Sequence, residues 1–203
     1  MDFVKTFGFT SVDNAALLKL NTIVEVVVFN MLNNVLFVTE ALKVKTIKKG
    51  HFLGVFKILR EAASRCEKTQ KGGTVLPAEY FGHDSGRYFD TVDFHDTSFI
   101  DGLTRGPLFV QEAGASKSVP VAITVDEIKA IIVKYKKETD AEFIVAKDVY
   151  AVIQQCVLHN MTQLLLAASD KGKNKTLTAT LINKSIKNAG AELKHLKHVW
   201  SKA

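Results

Sequence analysis

Two short basic segments carry the residues best suited to chemistry. One reads Lys43-Val44-Lys45-Thr46-Ile47 and the other Lys173-Asn174-Lys175-Thr176-Leu177, both Lys-x-Lys-Thr followed by an aliphatic residue. Ammonium groups beside a hydroxyl offer charge and several donors to an oxyanion, so both segments are read as phosphate contacts. A second constellation, His83, Asp84, Asp90, Asp93, His95 and Asp96, falls within fourteen residues and holds imidazole and carboxylate donors of the kind that bind divalent metals. Its spacing is loose and no second cluster accompanies it. It is therefore read as an exposed acidic loop whose Tyr88, Phe89 and Phe94 pack back onto the protein, and no metal site is expected. No G-x-S-x-G, Walker loop or H-E-x-x-H occurs, so the chain is expected to be neither an enzyme nor dependent on a cofactor. Cys66 and Cys156 stand ninety residues apart without a C-x-x-C spacing, which leaves no thiolate zinc site or redox pair and points to a reducing compartment. Cys156 is read as a small core residue.

The basic segments need elements to hold them. From Asp13 to Lys43 the chain has no Gly and no Pro, which predicts one long helix with Thr10, Ser11 and Asp13 as candidate N-caps. Val26-Val27-Val28-Phe29 favours a strand locally, but the unbroken length outweighs it. Apolar residues occur nearly all round this helix, so it is expected to be covered on most sides. The apolar stretch Ile23–Val38 holds Glu25, Asn30, Asn33 and Asn34 and is read as a buried helix, too short and too polar for a bilayer. After the first basic link comes a shorter amphipathic helix, His51–Ala63, with Phe52, Val55, Phe56 and Leu59 on one face.

Glycines, acids and aromatics dominate Glu67 to Ile123. From Lys68 to Ile123 there are five basic and seven acidic residues, a net of −2, while twenty-two basic against fourteen acidic residues elsewhere leave +8. Beyond it, Thr124 with Glu127 forms a capping-box pattern ahead of Val125–Glu138, an extended link Thr139–Ala146 leads to a helix of about Lys147–Asp170, and a short helix spans Ala179–Asn188. Leu193, Leu196 and Trp200 are spaced for a last basic helix. The same order, extended link, long helix, basic link, short helix, thus occurs twice, and the Lys-x-Lys-Thr segment holds the same place in each repeat.

These residues resemble the core histones. Val26–Ile47 looks like the end of a histone central helix running into its basic loop, and Lys171–Ile186 like the same loop entering the third helix. Two copies in one chain resemble the histone doublets of large DNA viruses. The resemblance implies an all-α fold of two tandem histone folds paired head to tail: a first unit at residues 1–66 with a short or missing opening helix, an acidic aromatic insert at 67–123, and a second unit at 124–203 ending in a basic helix. It also implies that Lys45 and Thr46 meet Phe143–Lys147 while Lys175 and Thr176 meet Gly8–Ser11, each beside the N-terminus of a long helix.

A chain with 27 Lys and Arg against 21 Asp and Glu, only four of the bases being Arg, suits polyanion binding without base readout. The expected function is packaging of viral double-stranded DNA through phosphate contacts from Thr10, Ser11, Lys43, Lys45, Thr46, Lys48, Lys49, Lys147, Lys173, Lys175 and Thr176. The expected partners are duplex DNA, other doublets and a protein on the insert, with no membrane. The expected place is the virion and the host nucleus or viral replication compartment, inside the cell, since the first residues lack the pattern of a secretory signal. The alternative is a histone-fold interaction protein, a transcription-factor subunit or virion component, with little DNA binding. Scarce Arg and the acidic aromatic insert favour that alternative.

Overall fold

The computed structural model describes residues 2–52, 54–55, 123–169, 175–189, 197 and 199–203, and these residues are mostly helical, as an all-α protein is. A short helix, α1 (Asp2–Lys5), precedes the two-residue strand β1 (Ser11–Val12). Gly8 between them sits at φ +85, a left-handed conformation that glycine adopts without a Cβ penalty.

Helix α2 runs from Asn14 to Ala41. Of the three cap candidates Asp13 fills the role, because its Oδ1 accepts the backbone N–H of Ala16, while Thr10 and Ser11 stand outside the helix in and beside β1. The helical period selects one seam of α2 for burial: Ala16, Leu20, Ile23, Val27, Val28, Met31, Leu32, Val35 and Val38. Each large aliphatic chain so buried contributes roughly 1.5–3 kcal/mol of transfer free energy. The expectation of cover on most sides is corrected at the start of the helix, where Leu17 and Leu18 are 48% and 68% exposed. At 28 residues α2 is, by length and composition alone, long and apolar enough to cross a bilayer, which the shorter stretch Ile23–Val38 is not. Its buried seam is what a core helix presents.

The helix stops two residues before the expected Lys43. Lys43 takes φ +54, and Val44 N–H bonds Thr39 C=O at 2.9 Å while Lys43 N–H bonds Glu40 C=O at 3.0 Å. This is the Schellman closure, with lysine where glycine is usual. Strand β2 (Thr46–Ile47) follows, then helical residues at 49–52 and 54–55 in which Phe52 and Val55 are buried.

Helix α3 (Val125–Thr139) begins as its sequence predicts. Thr124 Oγ1 accepts Glu127 N–H at 3.2 Å, and Glu127 Oε2 accepts Thr124 N–H at 2.7 Å, which is both halves of a capping box. Ile128, Ile132 and Tyr135 form its buried face. The Tyr135 ring meets Phe29 edge-on at 5.0 Å and its hydroxyl donates to Asn33 Oδ1, while Lys134 pairs with Glu25. Asp140, at φ +52, ends α3 and leads to strand β3 (Ile144–Val145).

Helix α4 (Val149–Ser169) starts two residues later than expected, so Lys147 lies in the preceding turn. Val152, Ile153, Val157, Met161, Leu164, Leu165 and Ala168 are buried along it. Asn160, buried on the same helix, donates to Cys156 C=O at 2.8 Å and accepts the Trp200 indole N–H at 3.3 Å, so the polar amide is satisfied. Burial pushes the Cys156 thiol up to about 12, which keeps it protonated and inert. Strand β4 (Thr176–Leu177) and helix α5 (Ala179–Lys187) complete the second repeat, with Thr178 Oγ1 accepting Leu181 N–H at 3.2 Å as the N-cap. Lys197 Nζ donates to Lys187 C=O at 2.9 Å at the far end of α5.

The chain divides into two compact units. The first draws on Met1–Asn33, Ser116–Glu142 and Tyr150–Ala203, and the second on Asn34–Ala115 and Phe143–Val149, so each takes residues from both sequence repeats. In the first, the buried faces of α3, α4 and α5 and the opening seam of α2 supply the core. In the second, Val35, Val38, Ile47, Phe52, Val55, Phe143 and Val149 do so.

Candidate nucleic-acid interface

Each Lys-x-Lys-Thr segment ends in an aliphatic residue that is wholly buried, Ile47 in one and Leu177 in the other. Burying that side chain pins the segment and turns the lysine and threonine before it outward. In the first unit β4 pairs in parallel with β1, placing Ser11 opposite Thr176 and Val12 opposite Leu177. Ser11 N–H bonds Lys175 C=O at 3.3 Å and Asp13 N–H bonds Leu177 C=O at 3.1 Å. In the second unit β2 pairs in parallel with β3, placing Thr46 opposite Ile144 and Ile47 opposite Val145. Ile144 N–H bonds Lys45 C=O and Ala146 N–H bonds Ile47 C=O, both at 2.9 Å. The two pairs therefore share one hydrogen-bond pattern, and in each the lysine and aliphatic carbonyls of the basic link are the acceptors.

The structure thus brings Thr10, Ser11, Lys175 and Thr176 together. Thr10 donates both its N–H, at 2.7 Å, and its hydroxyl, at 3.2 Å, to Lys175 C=O, and the Ser11 and Thr176 hydroxyl oxygens lie 2.7 Å apart. These four residues are exposed. At the other pair stand Lys43, Lys45, Thr46, Lys48 and Lys49, with Lys147 following β3, and of these Lys43, Lys45, Lys48 and Lys147 are exposed. Lys173 lies outside the described residues.

The two pairs differ in chemistry despite their shared backbone. Where Ser11 stands in the first, the second has Ile144, 63% exposed, and Val44 in the basic link is 41% exposed. At the N-terminus of α2 the Asp13 carboxylate caps the first turn. That carboxylate takes one of the orphan donors, the Ala16 N–H, and its charge offsets the dipole that an external anion would otherwise meet. Asp148, exposed, likewise precedes α4 directly. What these sites offer an anion is lysine charge and hydroxyls.

Sequence reasoning missed His51. Its Nδ1 accepts the backbone N–H of Lys48 at 3.1 Å, the reciprocal half of a capping box at the start of the helical residues beginning at 49. Val44, Lys45, Thr46, Lys48 and His51 line an open cleft there. Burial first, and the Lys48 charge second, hold the imidazole below its ordinary value of 6.5. The signal was present as a histidine three residues after Lys48, the position that Glu127 holds relative to Thr124.

Among the described residues no group of three or more His, Cys, Asp and Glu could hold a metal ion. The constellation from His83 to Asp96, the rest of the insert up to residue 122, and Cys66 lie outside the described residues. In comparisons with protein-family models, curated proteins and solved structures, none matches this chain.

Proposed function

We propose that the chain is a histone-like DNA-binding protein of the viral doublet type, with two histone folds paired head to tail that compact duplex DNA through its phosphates. One observation carries the reading: the link before the long helix of each repeat pairs in parallel with the basic link of the other repeat, in one common hydrogen-bond pattern. Such crossed pairing sets each Lys-x-Lys-Thr segment beside a second loop, and two loops at one point are a minimal clamp for a phosphate backbone. The remaining partners are other doublets and a protein on the insert, in a virion or at viral DNA in the host nucleus or replication compartment. No catalysis and no cofactor belong to this reading.

A mobility-shift titration of duplex DNA with the whole protein tests it. Counterion release requires affinity to fall steeply between about 50 and 200 mM salt, alike for unrelated sequences. Absence of a shift at the lower salt would reject the reading in favour of a histone-fold interaction protein. The Asp13 cap and the exposed Ile144 and Val44 favour that second reading, because acids weaken a phosphate site and exposed aliphatics suit a protein partner.

A further inference from the structure

Over its first turns helix α2 has two distinct faces. The buried seam begins with Ala16, Leu20 and Ile23, while Asn14, Ala15, Leu17, Leu18, Asn21 and Thr22 are exposed. Ala15, Leu18 and Thr22, at spacings of three and four, form one stripe along the outer face. Leu18, 68% exposed, is the largest side chain of the stripe, with a smaller residue one turn to either side. The Thr22 hydroxyl donates to Leu18 C=O at 3.0 Å, so its proton is spent within the helix. Of the nine residues from Asn14 to Thr22 only Lys19 is charged, and it is half-buried, on the flank between stripe and seam. The next position of the stripe, Glu25, is paired with Lys134. The outer faces of the other helices are different: α3 exposes Asp126, Lys129 and Glu138, and α5 exposes Lys184 and Lys187.

Charge and shape both fit a second copy of this chain. A chain of net charge +6 repels its own copies. In a two-fold contact each patch also meets itself, so an unpaired charge would face its own sign. An uncharged apolar stripe is free of that clash, whereas it offers a nucleic acid no ammonium group and an acidic peptide no counter-charge. An antiparallel crossing with the two-fold axis between Ala15 and Leu18 sets each Leu18 over the Ala15 of the other copy, a knob over a hole made twice. We propose that the opening turns of α2 are a self-association surface, at which two copies pair through Ala15 and Leu18 with Leu17, 48% exposed, at the rim. One helix face of this length buries less than the roughly 800 Å² per partner of a standard complex, so the pairing is weak and concentration-dependent. The inference goes beyond the DNA reading, which names other doublets as partners but no surface for them, and does not rest on it.

Sedimentation equilibrium of the whole protein without DNA, from about 5 to 500 μM, tests it. The average mass should climb toward that of a dimer at the upper end. Leu18→Asp and Leu18→Lys should each stay monomeric throughout, because the two-fold brings like charges together. Both should melt as the parent does, since the position is exposed. An equimolar mixture of the two variants should recover a dimer, because opposite charges then meet. A parent that stays monomeric, a dimer that survives Leu18→Asp, or a mixture that stays monomeric overturns the inference. So does a marked loss of thermal stability in both charged variants, which would show the stripe covered within its own chain. A monomeric parent that still shifts duplex DNA overturns this inference alone. A parent that dimerises, with the variants behaving as stated, but fails to shift duplex DNA overturns the DNA reading alone.

Discussion

The hydroxyls of Ser11 and Thr176, 165 residues apart in the chain, lie 2.7 Å from each other across the β1–β4 pair. Both are exposed, so the bond is worth no more than about 1 kcal/mol to the fold. Ser11→Ala should therefore leave the melting temperature nearly unchanged. Ser11→Asp places a carboxylate beside Lys175 and Thr176 and should weaken duplex DNA binding well beyond the alanine change, as measured by mobility shift at constant salt. Equal affinity for the two variants would remove this pair from the interface.

Lys45 and Lys175 hold equivalent places in the two strand pairs, each one residue before the paired threonine. Changing both to alanine should lower the logarithmic salt slope of duplex binding by about two, close to 0.9 for each neutralised phosphate. Lys129 and Lys136 on α3 are the control, and Lys129 is already held by Asp126 at 2.9 Å. Equal losses from the two pairs would make the protein a diffuse polycation.

Lys43 is held at φ +54 in the Schellman closure of α2, a conformation that costs a non-glycine residue roughly 1 kcal/mol. Lys43→Gly should raise thermal stability, while loss of the ammonium takes about one unit from the salt slope. A lysine kept in a strained position where glycine would be more stable is what a binding role predicts. Calorimetry and salt titration of the same variant test both parts.

Val28 and Leu165 are fully buried in the first unit. A charge introduced at either costs several kcal/mol, a large fraction of the stability of a typical domain, so Val28→Asp and Leu165→Asp should each unfold the protein at room temperature. Circular dichroism would show the loss of helix. Native helicity retained in Val28→Asp would contradict the burial of the α2 seam.

Thr124 N–H, and then its hydroxyl, hold the Glu127 carboxyl below its ordinary value of 4.5. A lowered folded value means the unfolded chain binds the proton more readily, so this contribution is complete above about pH 4.5 and is lost as pH falls through the folded value. Glu127→Gln should flatten the acid limb of the stability curve below that pH. His51 acts with the same sign at higher pH: its contribution is complete above 6.5 and declines below it. His51→Gln should abolish that decline, as thermal melts at pH 8 and pH 6 would show.

Local sequence determined the helix starts and the direction of the chain through them. Thr124 with Glu127, Thr178 ahead of α5, and the Gly- and Pro-free run after Asp13 act over three or four residues, and such interactions are written in the sequence that makes them. The repeated Lys-x-Lys-Thr was equally visible, and the partners of each link followed from the resemblance to histones rather than from the residues. What tertiary structure alone decided was register and side. It set Ser11 against Thr176 but Ile144 against Thr46, left Leu17 and Leu18 exposed on a helix apolar nearly all round, and sent Lys197 to the end of α5. Each of these depends on surfaces that meet only after distant segments pack. Two repeats with the same links could therefore close with the same backbone pattern and yet present hydroxyls at one pair and aliphatic side chains with a titratable ring at the other.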